Sequence, residues 1–209
     1  MPKSRRRPRP ARGKTKSVFL NIPYDRRFTR LFLAYIAAVS SFGLIPHATL
    51  EIPLSKRRLD RILSLIARSQ YSLHDLSRVQ LDTSNPRTPR FNMPFELGLT
   101  VALQRCKTPR HSWVVLESSP HRLQKSLSDL NGTDPFVHSG TVRGVFRELC
   151  SVFVSTPLRP TVPQMFAVYR LLRSQLPKLL RSSGSSDPFN ARVFSDLCVL
   201  AALAASNIV

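Results

Sequence analysis

The stretch RFNMPFELGL, residues 90–99, holds the side chain best suited to chemistry. Glu96 falls about four residues past Asn92, a residue type that caps helices, which assigns it to a first helical turn where the helix dipole favours a carboxylate and holds it ionised. Gly98 costs about 1 kcal/mol relative to alanine inside a helix, so its presence points to close approach by a neighbouring backbone or a ligand. A purely structural role stands beside this one, with Glu96 completing the dipole and Gly98 packing on a sheet. A second carboxyl, Asp75, lies near the end of the run YSLHDL, directly after His74 and two residues before Ser77. Asn21, Tyr24 and Asp25 follow an earlier apolar run, and Glu51 follows another.

These residues share a place only if the runs before them are strands of one sheet. Residues 17–23 (SVFLNIP) form a short apolar run ended by proline, as a buried strand does. Phe28, Leu31, Phe32, Tyr35, Ile36 and Val39 then recur at helical spacing until Gly43 stops the pattern. Residues 44–50 are the second extended segment. Leu59, Ile62, Leu63 and Ile66 mark an amphipathic helix for which Ser55 is the candidate cap. Residues 71–76 give a third strand, and a proline-punctuated loop from 77 to 90, long for a compact domain, is read as functional. Asn92 opens a helix through Gln104. Residues 111–117 (HSWVVLE) are a fourth strand, 120–130 a helix closed by Asn131-Gly132, 134–138 a short fifth strand, and 141–153 a further helix.

Alternating strands and helices predict an α/β fold, a three-layer doubly wound parallel sheet. Beyond residue 155 the pattern changes to two helices without a strand, with Phe166, Tyr169, Leu172 and Leu176 inward on the first and Phe194, Leu197, Cys198 and Ala201 on the second. This predicts a C-terminal helical hairpin packed on the domain or on a second protomer. The expected organisation is a basic arm over 1–16, an α/β domain over 17–155 and a helical extension over 156–209. In such a sheet ligands bind beyond the carboxyl ends of the strands. That edge would gather Asn21, Tyr24, Asp25, Glu51, Asp75, Ser77, Asn92, Met93 and Glu96.

Composition narrows the function classes. The formal charge is +20, of which Lys3, Arg5, Arg6, Arg7, Arg9, Arg12, Lys14 and Lys16 supply +8 with no acid among them, leaving +12 for the remainder. Such an arm is expected to be disordered and able to condense on polyphosphate, making nucleic acid a partner through residues 3–16; a solubilising tail is the alternative. Cys106, Cys150 and Cys198 are too far apart for a metal or redox motif and read as free thiols in a reducing compartment. No apolar run approaches the ~20 residues of a membrane span, so a soluble, cytoplasmic protein without membrane contact is expected. There is no GxGxxG after the first strand, no phosphate-binding GxxxxGK[ST] and no GxSxG elbow. The five histidines form no HxxxH with an acid, and no metal is expected.

A strand ending in Asp75, a loop, and a helix carrying Phe95-Glu96-Leu97-Gly98 together resemble the core of the nucleoside 2-deoxyribosyltransferases and of the related Toll/interleukin-1 receptor (TIR) domains. YSLHDLSR followed by PRFNMPFELGL also resembles a group of TIR-like bacterial proteins. The resemblance covers roughly residues 17–150 and is strongest over 71–103. It implies a flavodoxin/TIR-like sheet and an N-glycosidase acting on a nucleotide, NAD being the leading candidate, in a bacterial defence setting. Glu96 would then work at the anomeric carbon of a ribosyl group, where an ionised carboxylate stabilises or captures an oxocarbenium ion. Asp75 would grip ribose hydroxyls or protonate the departing base, provided burial raises its pKa. His74 is the alternative acid, although strand alternation turns it to the opposite face from Asp75. Arg57, Arg58 and Arg90 are candidates to meet a diphosphate, and Tyr24 or Phe91 to stack on a base.

The expectation is therefore catalysis by Glu96 and Asp75, with Asn21, Tyr24, Asp25, Glu51, Ser77, Arg90, Asn92 and Met93 binding substrate. The nucleotide is substrate, no cofactor is required, and a homo-oligomer is compatible with the C-terminal helices. The competing expectation is a non-catalytic module of the same fold that senses a nucleotide or mediates protein assembly.

Overall fold

A computed structural model of the chain describes residues 16–51, 57–79, 85, 87–106 and 111–208. The predicted cap Ser55 and the basic arm through Lys14 lie outside the described residues. Among the described residues five strands form one all-parallel sheet: β1 (Ser17–Asn21), β2 (Ile45–Ala48), β3 (Tyr71–Asp75), β4 (Ser112–Glu117) and β5 (Phe136–Val137), in the order β2-β1-β3-β4-β5. Order 2-1-3-4-5 is the flavodoxin-like doubly wound arrangement, with its reversal of direction between β1 and β3. Pairing of Leu20 with Leu73 and Asn21 with His74 sets the register at that reversal.

Among the described residues seven α-helices cover the sheet: α1 (Thr29–Ser41), α2 (Arg58–Arg68), α3 (Asn92–Cys106), α4 (Arg122–Ser126), α5 (Val142–Val152), α6 (Val162–Ser183) and α7 (Ala191–Ile208). On one face Val18, Leu20 and Leu73 pack against α1 and α5; on the other, Phe19 packs with Ile62, Leu65 and Ile66 of α2. The period of two in β1 and β3 decides this partition. Each predicted element is present with ends shifted by a few residues. The expected helix 120–130 is the main departure, since it divides into α4 and a 3-10 turn at Ser128–Leu130.

The C-terminal hairpin packs on the domain itself. Helices α6 and α7 lie over α1, and Met165, Val168, Leu172, Val193, Phe194 and Leu197 join the same buried cluster as Phe32, Tyr35 and Ile36. Every residue of α1 from Leu31 to Ser41 is consequently buried, as expected for a helix covered all round rather than on one stripe. Residues 17–155 and 156–208 share one core. By length and composition α7, with a mean hydropathy of 1.4, is apolar enough to cross a membrane. Its inward side, including Val193, Phe194, Leu197 and Ala201, is instead committed to this core.

Two glycines have opposite meanings. In α5 a Cβ on Gly144 would stand 1.9 Å from the carbonyl oxygen of His138, a backbone atom that cannot yield. At Gly98 a Cβ would meet nothing within 4 Å, so the expected close approach is absent there among the described residues. Urea denaturation should accordingly show Gly144→Ala destabilised by about 2 kcal/mol or more and Gly98→Ala stabilised by about 1 kcal/mol.

Candidate functional site

A cavity of about 430 Å³ opens at the carboxyl end of the sheet, beside the reversal between β1 and β3. Asn21, Ile22, Pro23 and Tyr24 line it from the end of β1, Arg58 from the start of α2, and Thr88 to Met93 together with Glu96 from the entry to α3. Of the residues predicted to form the site, Asn21, Tyr24, Arg90, Asn92, Met93 and Glu96 are brought together. Arg58 and Phe91, considered for phosphate and base, line the same space. Ile22, Pro23, Thr88 and Pro89 also belong to it; they are apolar or small loop residues without a distinguishing sequence signal.

The start of α3 is fixed by a short chain of hydrogen bonds. The Asn21 Nδ2 group donates to the carbonyl oxygen of Met93 (2.9 Å) and contacts His74 Nδ1 at 2.8 Å. Because Nδ2 is a donor, His74 Nδ1 must be the acceptor, which leaves the ring proton on Nε2. Burial, and then the neighbouring His111, push the His74 pKa down to about 3. A ring so held stays neutral at ordinary pH and is no general acid; it orients Asn21 instead.

Glu96 differs from its predicted state. The N–H of Phe95 already donates to the carbonyl of Phe91, so the helix begins a residue earlier than a cap at Asn92 would start it. Glu96 thus lies beyond the first turn, where the pull of the dipole fades. With the residue only 5% exposed, burial raises its pKa to about 7, against a smaller opposing effect of Arg58. Desolvation outweighs the dipole. The carboxyl is divided between its protonated and ionised forms near neutrality.

Asp75 does not join Glu96. It is fully buried on the α1 side of the sheet, where Tyr35 Oη donates to Oδ2 (2.8 Å) and the Ser77 N–H donates to Oδ1 (2.9 Å). His138 Nε2 lies 3.1 Å from Oδ2, at ion-pair distance though outside hydrogen-bond alignment. The proton of that ring is on Nε2, since Nδ1 accepts the Gly140 N–H at 3.0 Å. Alternation along β3 separates the two acids: His74 faces α3, and Asp75 faces away. Ser77 serves this network rather than the cavity.

Asp25 and Glu51 likewise have structural partners. Asp25 accepts from Arg78 Nε and Arg90 Nη1, both at 2.7 Å, and from the backbone N–H groups of Arg27 and Phe28. Burial would raise its carboxyl, but Arg78 and then Arg90 overcome this and hold it below the ordinary range. Asp25 therefore acts by steadying Arg90 at the cavity wall. Glu51 accepts from the Ala48 N–H (3.0 Å) and pairs with His47 (3.1 Å), closing the end of β2.

Two aromatic groups complete the walls. Burial raises the Tyr24 pKa, and its hydroxyl donates to the Leu20 carbonyl (3.4 Å) and accepts from Thr49 Oγ1 (3.2 Å). Its ring rests 5.7 Å from that of Phe189. At the mouth Phe91 is 65% exposed, and Phe95, one turn on along α3 and outside the cavity lining, is 55% exposed. No cluster of three or more His, Cys, Asp or Glu side chains suited to a metal occurs among the described residues.

No protein-family model, curated protein or solved structure matches the chain.

The raised pKa of Glu96 has a calculable consequence for stability. Below about pH 4.5 both folded and unfolded states hold the proton and burial costs nothing; the cost grows between there and about 7 and is complete above it. Glu96→Gln should therefore stabilise the fold by about 3 kcal/mol above pH 7 and by little at pH 4. Thermal or urea unfolding at the two pH values measures the difference.

Proposed function

We propose that this chain is a nucleotide N-glycosidase that hydrolyses the bond between ribose and a cationic base, as in the nicotinamide of NAD, with Glu96 at the anomeric carbon. The observation that carries this reading is that Glu96 is the one carboxyl among the residues lining a cavity that also presents arginines and aromatic rings. Uncharged bases leave a sugar with difficulty unless a general acid protonates them. Among the described residues no second acid lines the cavity, since Asp75 is turned to the other face. A pyridinium base needs none: the electron pair of the C1′–N bond neutralises the ring nitrogen as the bond breaks.

The remaining residues fit the parts of such a substrate. Positive charge developing at C1′ is stabilised by the Glu96 carboxylate, and water adds to C1′ and releases its proton. A cationic substrate beside Glu96 lowers its pKa, so binding itself favours the ionised form. Arg58 and Arg90 suit the phosphates, Arg90 in an orientation set by Asp25. Tyr24 and Phe91 offer surfaces for a base, and Asn21 and Asn92 offer amides. The resemblance of residues 71–103 to TIR-like and deoxyribosyltransferase-like proteins supports the same reading, and bacterial defence is the setting it suggests. The alternative, a non-catalytic nucleotide-sensing or assembly module, is favoured by the two exposed phenylalanines at the start of α3, Phe91 and Phe95.

Mass spectrometry of NAD, free nicotinamide and nucleosides, in cells expressing wild type or Glu96→Gln at matched levels, separates the readings. Wild type alone should deplete NAD and release nicotinamide, with turnover of the variant lower by about 100-fold or more. Unchanged metabolites in both, with both folded, would favour the non-catalytic module. For the purified protein, kcat/KM should rise with pH through about 7, the pKa of free Glu96. Asp25→Asn, which releases Arg90, should raise KM by about tenfold while kcat changes little.

A further inference from the structure

Away from the cavity, helix α6 carries an electrostatic feature that the glycosidase reading does not use. Between Glu148 and Asp187 the chain has no acidic residue, but it has Arg159, Arg170, Arg173, Lys178 and Arg181. The last four are exposed and lie on α6. At 3.6 residues per turn they fall within about 140° of arc, and at 1.5 Å per residue they run along about 16 Å of the axis. None of them pairs with a carboxylate among the described residues, where the salt bridges involve other cations. The charge continues onto α5, where Arg143 and Arg147 are exposed and the Arg143 guanidinium lies 5.3 Å from the centre of the Phe166 ring. Glu148, half-buried, is the one acid on that helix.

We propose that the exposed face of α6 is a binding surface for the phosphate backbone of nucleic acid. A solvated charged face normally mixes signs or pairs its cations; this one does neither. Its length matches about five base pairs at 3.4 Å per phosphate on each strand. An anionic membrane is the other partner with suitable charge, but a membrane-bound helix needs exposed apolar side chains beside its cations. All the large apolar residues of α6 are buried or half-buried against the core, and the exposed ones of the molecule lie elsewhere. No exposed aromatic or amide side chain stands among the cations to read bases, so the surface binds duplex by charge and without sequence preference. It belongs to the side of the sheet covered by α1, and its occupancy does not require the cavity.

Fluorescence anisotropy with a labelled duplex of about 20 base pairs, over 50–200 mM salt, tests this on the full chain. Replacing Arg170, Arg173, Lys178 and Arg181 together by glutamine should reduce the slope of log K against log salt by about 3 to 4. The pairs Arg170→Gln/Arg173→Gln and Lys178→Gln/Arg181→Gln should each reduce it by about 2, which keeps the test decisive if the fourfold variant folds poorly. Lysine in place of the three arginines should keep the slope, and Glu96→Gln should leave it untouched. Three outcomes would overturn the proposal: an unchanged slope in the glutamine variants, a slope lost only when the basic residues between 3 and 16 are neutralised, or tighter binding to phosphatidylserine vesicles than to duplex.

Discussion

The buried carboxyl of Asp75, at the end of the central strand, is the constraint on which the surrounding structure depends. Its oxygens draw in the Tyr35 hydroxyl from α1, the Ser77 backbone from the departing loop and His138 from the segment after β5. A carboxyl removed from water is tolerated only when its partners are in place, so three parts of the chain must meet at one point. The residue before it serves the other face. His74 turns towards α3 and, through Asn21, holds the carbonyl of Met93. A one-residue step along one strand thus anchors a helix on each side of the sheet.

That division explains why the candidate site was only partly legible in the sequence. The alternation of strands and helices was readable, because periods of two and 3.6 leave their marks on SVFLNIP, on residues 28–39 and on YSLHDL. The shared edge followed from the fold, and with it Asn21, Tyr24, Met93 and Glu96. The roles of individual acids were harder. Asp75, Asp25 and Glu51 all follow strands, yet their partners, Tyr35, Arg78, Arg90 and His47, come from parts of the chain whose approach no local pattern records. Alternation puts His74 on the correct face, but its neutrality comes from burial, and burial of a polar residue has no signature in sequence.

Glu96 shows two physical effects in opposition. A helix start favours the charged carboxylate, whereas removal from water favours the neutral acid, and the depth of the cavity lets the second prevail. One hydrogen bond, from Phe95 to Phe91, moves the helix start enough to weaken the first. Asp25 presents the converse: also partly buried, it keeps its charge because two guanidinium groups surround it. The cavity is accordingly built with its positive charge fixed and its negative charge adjustable, so a ligand that brings a cation next to Glu96 completes the balance.

The burial of α1 on every side has a consequence for how the protein comes into being. Residues 29–41 leave the ribosome early, yet the surfaces that cover them belong to residues 142–152 and 162–208. Contacts so distant in sequence close late. Until then the apolar surface of α1 has no shelter, and Tyr24, on the cavity wall, lacks the Phe189 ring that backs it. The nascent chain would need protection from aggregation until residues 162–208 have emerged, and a finished cavity would arise only once Phe189 and α7 are in place.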